Sequence, residues 1–265
     1  MIAWDPSAEA KDRLNKLLAM AWPVLERLGA RPNDRGTLTW AATAVEAVSK
    51  ADFVQESAIE RIAEKRDLYA EIEPHTPADV VIATSTSGFT IADLQAGGTK
   101  SSRLVIGHPF NLPYLIPLIE VAGAPYTNDE ALDATEAFYE SIGKIVIRMV
   151  HEIPGFVANR LTAALEREAM HLVAEGIATL EQIDAAIVHG LAPRWTAIGP
   201  CMVRQLSKDV GIDHYFETFH LNSERSLSHQ KPPDFTPELI RAMKDGCNTM
   251  AAGRNNLEIA AARDA

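Results

Sequence analysis

Several features that mark large functional classes are missing from this sequence. Its only two cysteines, Cys201 and Cys247, lie far apart and in no CxxC arrangement, which argues against a disulfide framework or a cysteine zinc site. None of its histidines lies in an HExxH motif. No apolar run approaches the roughly 20 residues that span a bilayer, and the N-terminus lacks a signal-peptide pattern. We therefore expect a cytoplasmic protein with reduced cysteines and no metal centre.

Clusters of lysine and arginine are also absent. The 265-residue chain carries a formal net charge of -11 at pH 7. Because nucleic acids and anionic membranes are bound by basic surfaces, we expect neither nucleic acid nor membrane as a partner. Apolar residues make up 47% of the chain and charged residues 23%, values typical of a globular protein with one large domain or two smaller ones.

Short apolar runs alternate with helical patterns in the first half of the chain. The runs cover residues 2–4, 53–54, 80–83, 104–107, 118–121 and 145–149. The helical patterns cover residues 8–28, 62–71 and 128–142, and a capping box from Thr127 to Glu130 opens the last of them. Strands that alternate with helices predict a parallel sheet covered by helices on both faces.

The pattern changes after residue 155. Residues 157–175 predict one long amphipathic helix that Gly176 ends, and a second capping box, Thr179 with Gln182, opens a helix over residues 180–188. No strand pattern follows residue 150. We therefore predict an α/β domain over residues 1–152 and an all-helical domain over residues 153–265.

A histidine and a glutamate stand out in the α/β part. His108 ends an apolar strand, two prolines and an asparagine open a loop after it, and Glu120 follows inside the next apolar run. A histidine beside a carboxylate often acts as a general acid or base near neutral pH. The alternative is a histidine that backbone hydrogen bonds satisfy in a turn. A buried carboxylate needs a partner, which favours a paired Glu120.

Four segments carry a family resemblance. They are residues 84–88 (TSTSG), 107–113 (GHPFNLP), 117–121 (PLIEV) and 154–160 (PGFVANR). In order and spacing they resemble the 3-hydroxyacyl-CoA dehydrogenase family, and the resemblance covers essentially the whole chain. It implies a Rossmann-type NAD-binding domain that lacks its first βα unit, followed by a helical domain like that of 6-phosphogluconate dehydrogenase. It also implies NAD as the cofactor.

The resemblance assigns roles to four residues. His108 matches the catalytic base and Glu120 the carboxylate that pairs with it. Ser87 matches the serine that binds the substrate oxygen, and Asn159 matches the asparagine that completes the site. The implied reaction is oxidation of the 3-hydroxyl of a small hydroxy acid or of a 3-hydroxyacyl-CoA. Alternatively, Ser87 is an ordinary turn residue and Asn159 caps the helix that begins there.

The resemblance also implies residues for the cofactor. Asp5 ends the first apolar run and matches the acidic residue that binds the adenine ribose. Glu60 and Lys65 match residues on the nicotinamide side, and Ser85 is assigned to the cofactor with them. Charged residues at the spacing of Glu60 and Lys65 are otherwise typical of a solvated helix face.

One family feature is missing. No GxGxxG motif occurs in the chain, although this loop normally lies about 20 residues before the acidic residue. The strand that precedes it is central in a 3-2-1-4-5-6 sheet, so we expect a gap between strands that cannot pair across it. We expect the functional protein to start further upstream. The alternative is a truncated member that binds little NAD and acts as a structural or dimerisation protein.

The substrate residues point to one branch of the family. The pairs His108-Pro109 and Arg194-Trp195 resemble the branch that acts on free hydroxy acids such as L-gulonate and L-carnitine. Arg194 would then bind a carboxylate, and Trp195 and Tyr114 would face a quaternary ammonium. Asn111 is assigned to the substrate with them. Arg194 and Trp195 are alternatively a packing pair at a helix start, and CoA thioesters remain open. The family also implies a homodimer.

Overall fold

The computed structural model describes residues 1–31, 35–96, 101–200, 236–238, 241 and 252–253. The chain divides into two compact units, Met1–Arg160 and Leu161–Ala265. Cys201 and Cys247, predicted to be reduced, lie outside the described residues. Among the helices that can be described, none has the length and apolar character needed to cross a membrane.

The strands of the first unit form two separate sheets. A short parallel pair, β1 with β2, stands apart from a five-stranded sheet of order β3-β4-β5-β6-β7. The expected gap between the strands is therefore confirmed. The strands are β1 (Ile2–Ala3), β2 (Thr39–Trp40), β3 (Val54–Glu56), β4 (Ile82–Thr84), β5 (Leu104–Pro109), β6 (Leu118–Ala122) and β7 (Ile145–Arg148).

The predicted parallel sheet is wrong in one respect. Strands β3, β4 and β5 run parallel, but β6 pairs antiparallel with β5, and β7 runs parallel to β6. The eight residues 110–117 that join β5 to β6 are too few for the crossover connection that parallel neighbours need. The chain therefore turns back after β5, which brings β6 alongside the strand that carries His108.

Helices cover both faces of the five-stranded sheet, as predicted. Successive strand residues point to opposite faces, so Ile82 and Ala83 belong to different clusters of the core. One cluster contains residues of α2, α3 and α4, and the other contains residues of α5. The helices of the first unit are α1 (Ala10–Arg27), α2 (Ala44–Val48), α3 (Ile62–Ile72), α4 (Ile91–Leu94) and α5 (Asp129–Ser141). The short helices α2 and α4 were not predicted.

The predicted capping box at Thr127 is wrong. The side chain of Asn128 caps α5 and accepts a hydrogen bond from Ala131 N at 3.0 Å. The hydroxyl of Thr127 accepts instead from Ala124 N at 3.0 Å, in the turn before the helix. Asparagine and threonine are both good N-caps, so two adjacent candidates leave the sequence one residue uncertain.

The second unit continues the long helix that starts in the first. Helix α6 (Phe156–Ala174) ends before Gly176, which has a positive φ of 67° and is the helix stop that was predicted. The predicted capping box of Thr179 with Gln182 is confirmed at the start of the next helix. The predicted end of that helix at residue 188 is wrong, because the helical path continues through α7 (Leu180–Ala186), a π-helical turn (Ile187–Leu191) and α8 (Ala192–Ala197).

Gly107, the residue before His108, is enclosed by Tyr139. The buried phenol of Tyr139 donates to Gln55 Oε1 at 2.5 Å, and the Gln55 amide donates to Gly107 O at 3.3 Å. A Cβ on residue 107 would overlap Tyr139 Oη and lie 2.9 Å from its Cζ and 3.0 Å from Ala83 Cβ. Burial raises the pKa of Tyr139, so its hydroxyl remains a donor. Only glycine therefore fits beside the histidine.

Replacing Gly107 by alanine is expected to destabilise the protein by about 1–3 kcal/mol, the usual cost of overpacking. In a Tyr139→Phe background the loss should shrink, because the overlapping hydroxyl is gone. Urea denaturation of the wild type, the two single variants and the double variant gives their free energies of unfolding. Gly190→Ala is the matched control, since nothing lies within 4 Å of a Cβ built there. Equal losses in both backgrounds would contradict the assigned role of the Tyr139 hydroxyl.

Candidate active site

His108 and Glu120 form a buried pair across two strands. They are directly opposite each other in the antiparallel register of β5 and β6. His108 Nδ1 lies 3.0 Å from Glu120 Oε2, and the two residues are 6% and 0% exposed. The predicted contact between His108 and the Glu120 carboxylate is therefore confirmed. The alternative of a histidine bound only to backbone in a turn is wrong.

The second oxygen of Glu120 is bound by the start of helix α6. Glu120 Oε1 accepts hydrogen bonds from Val157 N at 2.8 Å and from Ala158 N at 2.9 Å. The N-terminus of a helix carries free N–H groups and a partial positive charge, so it favours the ionised carboxylate. An ionised Glu120 accepts a hydrogen from His108 Nδ1, which leaves Nε2 as the ring nitrogen that can take up a proton. These two amide contacts were not predicted from the sequence.

A left-handed turn aims these amides at the carboxylate. Gly155 and Phe156 have φ angles of 75° and 50°, and Phe156 is fully buried. Its ring centroid lies 5.0 Å from that of His108. A positive φ is costly for a residue with a Cβ, by about 1–3 kcal/mol, so packing must hold Phe156 in place. The turn therefore supports the histidine ring and orients the start of α6 together.

Asn159 lies inside the first turn of α6. The helix begins at Phe156, so the alternative that Asn159 caps it is wrong. It directly follows Ala158, one of the two residues whose amides bind Glu120. Asn159 is half-buried. Its predicted role in completing the site stays a prediction.

Ser87 lies in a loop that one carboxylate holds. Glu60 Oε1 accepts from Thr86 Oγ1 at 2.5 Å, from Ser87 N at 3.0 Å and from Gly88 N at 3.1 Å. Ser87 itself is exposed and lies three residues after the end of strand β4. Burial opposes the ionisation of Glu60, but these hydrogen bonds and the charge of Lys65 together lower its pKa. The ionised carboxylate thus fixes the backbone that presents the serine.

Lys65 is not on a solvated helix face, so that alternative is wrong for this residue. Its side chain is 1% exposed, and its ammonium lies 2.8 Å from Glu56 Oε1, 3.2 Å from Ala58 O and 3.5 Å from Glu60 Oε2. Glu56, whose side chain is 2% exposed, was not predicted from the sequence. A signal was present, because Glu56 shares a strand face with the apolar Val54 two residues earlier.

The residues assigned to NAD lie where a parallel sheet binds ligands. Asp5, Glu60 and Ser85 follow the carboxyl ends of β1, β3 and β4, the edge at which α/β folds place their ligands. Asp5 is exposed and accepts a hydrogen bond from Ser7 N at 2.7 Å. Ser85 Oγ donates to Ser57 Oγ at 2.9 Å. Carboxylates and hydroxyls are suitable partners for ribose hydroxyls and a carboxamide, so this set fits the cofactor.

The loop between β5 and β6 holds two of the residues assigned to the substrate. Asn111 is exposed and Tyr114 is half-buried. Lys144, for which the sequence predicted no role, donates to Pro113 O and, at 3.3 Å, to Ile116 O. The ammonium thus links residues 113 and 116 of this loop to the turn before β7. Burial lowers the pKa of Lys144.

Arg194 and Trp195 belong to the second unit. Both lie in α8, directly after Pro193, where Arg194 is exposed and Trp195 is 38% exposed. Two exposed side chains do not form a buried packing pair. Their assignment to the substrate stays a prediction.

Family models match both parts of the chain. The model described as "3-hydroxyacyl-CoA dehydrogenase, NAD binding domain" matches residues 8–153, and the model described as "3-hydroxyacyl-CoA dehydrogenase, C-terminal domain" matches residues 155–252. Together they cover most of the sequence.

Individual relatives agree with these matches. An L-carnitine dehydrogenase of Nocardiopsis dassonvillei is 44% identical over 100% of this chain and 81% of its own length, and one of Streptomyces griseus is 45% identical over 99% and 79%. The crystal structure of 5-formyl-3-hydroxy-2-methylpyridine 4-carboxylic acid 5-dehydrogenase, an NAD+ dependent dismutase, has a TM-score of 0.79 and 31% identity. That match covers 96% of this chain and 79% of the solved one.

Proposed function

Because the chain belongs to the 3-hydroxyacyl-CoA dehydrogenase family and is thus an NAD-dependent oxidoreductase of hydroxy acids, we propose that it oxidises the 3-hydroxyl of L-carnitine. The pair of His108 and Glu120, held by the first amides of α6, is the observation that carries the catalytic part of this proposal. The substrate part is supported by relatives named L-carnitine dehydrogenase at 37–45% identity.

In the proposed reaction, His108 takes up the hydroxyl proton. Nε2 is the accepting atom, since Nδ1 is engaged by Glu120. The imidazolium that forms is stabilised by the Glu120 carboxylate, whose other oxygen accepts hydrogen bonds from the two α6 amides. Bound NAD+ supplies the acceptor for the hydride that leaves the carbinol carbon. Ser87 and Asn159 would orient the substrate oxygen.

The residues that would hold the cofactor follow from their strand ends. Asp5 would accept hydrogen bonds from the adenine ribose, and Glu60 and Ser85 would face the nicotinamide side. Lys65 has three acceptors for its three ammonium protons, in Glu56, Ala58 and Glu60. We therefore propose that Lys65 serves the cofactor side through Glu60.

The substrate residues suit the two charges of carnitine. The guanidinium of Arg194 matches a carboxylate, and the rings of Tyr114 and Trp195 suit a quaternary ammonium. L-Gulonate has the carboxylate but no cation, and a CoA thioester has neither next to the reacting carbon. The three substrates therefore make different demands on the same residues.

Steady-state assays should give the highest kcat/KM for L-carnitine with saturating NAD+, compared with L-gulonate under the same conditions and with acetoacetyl-CoA in the reverse direction with saturating NADH. Tyr114→Leu should raise KM for carnitine by about 2- to 30-fold, the range of a cation–π contact, and leave KM for gulonate unchanged. Tyr114→Phe keeps the ring and is the matched control. A preference for gulonate or the thioester, or equal effects of both variants, would contradict the proposed substrate.

We also propose that the protein is a homodimer, as the family resemblance implies. Sedimentation velocity measures this directly, because the chain has a mass of 28.9 kDa. A species of about twice that mass is expected, and a monomer at micromolar concentration would contradict the proposal.

A further inference from the structure

A closed ring of hydrogen bonds and ion pairs joins the loop of Ser87 to the buried pair of Lys65 and Glu56. Glu56 Oε1 binds Lys65 Nζ at 2.8 Å, and Lys65 Nζ lies 3.5 Å from Glu60 Oε2. Glu60 Oε1 accepts from Thr86 Oγ1 at 2.5 Å. Thr86 N donates to Thr84 Oγ1 at 3.2 Å, and Thr84 Oγ1 donates to Glu56 Oε2 at 2.7 Å. The path thus returns to the carboxylate from which it started.

Glu56 is the point at which this ring is anchored in the core. Besides Lys65 and Thr84, its carboxylate accepts from Ala58 N at 2.5 Å and from the phenol of Tyr69. Burial raises the pKa of Tyr69, so this phenol stays protonated and donates. Four residues, from α3, β4 and the loop after β3, therefore donate to a carboxylate that is almost completely buried. A buried carboxylate with this many donors is held in one position.

The ring has one side in the core and one side at the surface. Glu56, Lys65 and Thr84 are buried, whereas the side chain of Glu60 is 41% exposed and Ser87 is exposed. Glu60 joins the two sides, because Oε1 accepts from the loop and Oε2 faces Lys65. Its only cationic contact in the described residues is Lys65, which in turn is fixed by Glu56.

We propose that Glu56 is a positioning residue for the reaction, which acts through Lys65 and Glu60 to fix the loop that presents Ser87. The inference rests on the proposed function for its catalytic consequence but not for its structural one. Neutralising residue 56 leaves Lys65 with Glu60 as its remaining counter-ion. The ammonium then draws Glu60 away from the amides of Ser87 and Gly88, and the serine loses its fixed position.

Glu56→Gln tests the inference, because glutamine keeps the size of the side chain and removes its charge. In hydrogen-exchange mass spectrometry of the full chain, peptides over residues 85–89 should exchange about tenfold faster than in the wild type. Peptides over residues 156–160, which contact Glu120 instead, should be unchanged. Glu64→Gln is the matched control, since it removes an exposed carboxylate from α3 that pairs with Arg61.

Activity provides the second readout. Glu56→Gln should lower kcat/KM by about tenfold, and the further loss in a Ser87→Ala background should be much smaller, because both changes act on one group. Glu60→Ala removes the acceptor of Thr86, Ser87 and Gly88 from the exposed side of the ring and should reproduce the exchange result if Glu56→Gln does not fold. Unchanged exchange at residues 85–89, or additive losses of activity, would overturn the inference. A wild-type protein without dehydrogenase activity would refute the proposed function, while the exchange readout would still decide the role of Glu56.

Discussion

His108→Gln is expected to lower kcat/KM for oxidation by about 10²- to 10⁴-fold, the usual contribution of a general base. Glutamine can still donate a hydrogen bond towards Glu120, so the buried carboxylate keeps a partner, but an amide does not take up a proton at neutral pH. The loss should appear mainly in kcat, because proton transfer belongs to the chemical step and not to cofactor binding. Binding of NADH, measured by its fluorescence, should be unchanged.

His75→Gln is the matched control for this experiment. His75 is exposed and lies in the short 3-10 turn Glu73–His75 that follows α3, and none of the hydrogen bonds described above for the candidate site involves it. Its replacement should leave kcat and stability at wild-type values. A His108→Gln protein that retained wild-type kcat would show that another group accepts the proton.

Glu120→Ala is expected to have the largest effect on stability, a loss of about 3–5 kcal/mol, because it removes one partner of a buried pair. Three donors lose their acceptor at once, namely Nδ1 of His108 and the amides of Val157 and Ala158. The first turn of α6 then has no anion at its N-terminus. Urea denaturation at neutral pH measures the loss.

Glu120→Gln separates the two tasks of this residue. An amide oxygen can accept from the α6 amides, but the amide nitrogen then faces Nδ1 of His108 and no longer accepts its hydrogen. We expect a smaller loss of stability than in Glu120→Ala, together with a fall in kcat of about 10²-fold or more. Glu130→Ala, an exposed position at the start of α5, is the control. Equal stability of the Ala and Gln variants would contradict the contribution of the α6 amides.

The sequence predicted the part of the site that is formed by two consecutive strands. His108 and Glu120 could be paired because a carboxylate inside an apolar strand demands a partner. Their orientation could not be predicted, since an apolar strand looks the same in a parallel and in an antiparallel sheet. The length of the loop between the strands was the available signal, and it was not used.

Contacts between segments that lie far apart along the chain could not be predicted from the sequence. Charge spacing alone placed Lys65 at the surface, whereas tertiary packing buries it against Glu56. The amides of Val157 and Ala158 carry no side-chain signal, so their contact with Glu120 could not be read from residue types. The π-helical turn after α7 was missed in the same way, because its residues fit an ordinary helix.

The antiparallel return of β6 along β5 has a consequence for how this enzyme can diversify. His108 and Glu120 are aligned by the strand ladder itself, so the register of the pair does not depend on what the intervening loop contains. Asn111 and Tyr114 sit in that loop, outside the ladder. Under the proposed assignment of the loop residues to the substrate and of His108 and Glu120 to proton transfer, mutations in the loop would change which molecule is accepted and leave the strand pair unaltered. Selection for a new hydroxy acid would act on the loop, whereas the residues of the two strands would be retained from the common ancestor.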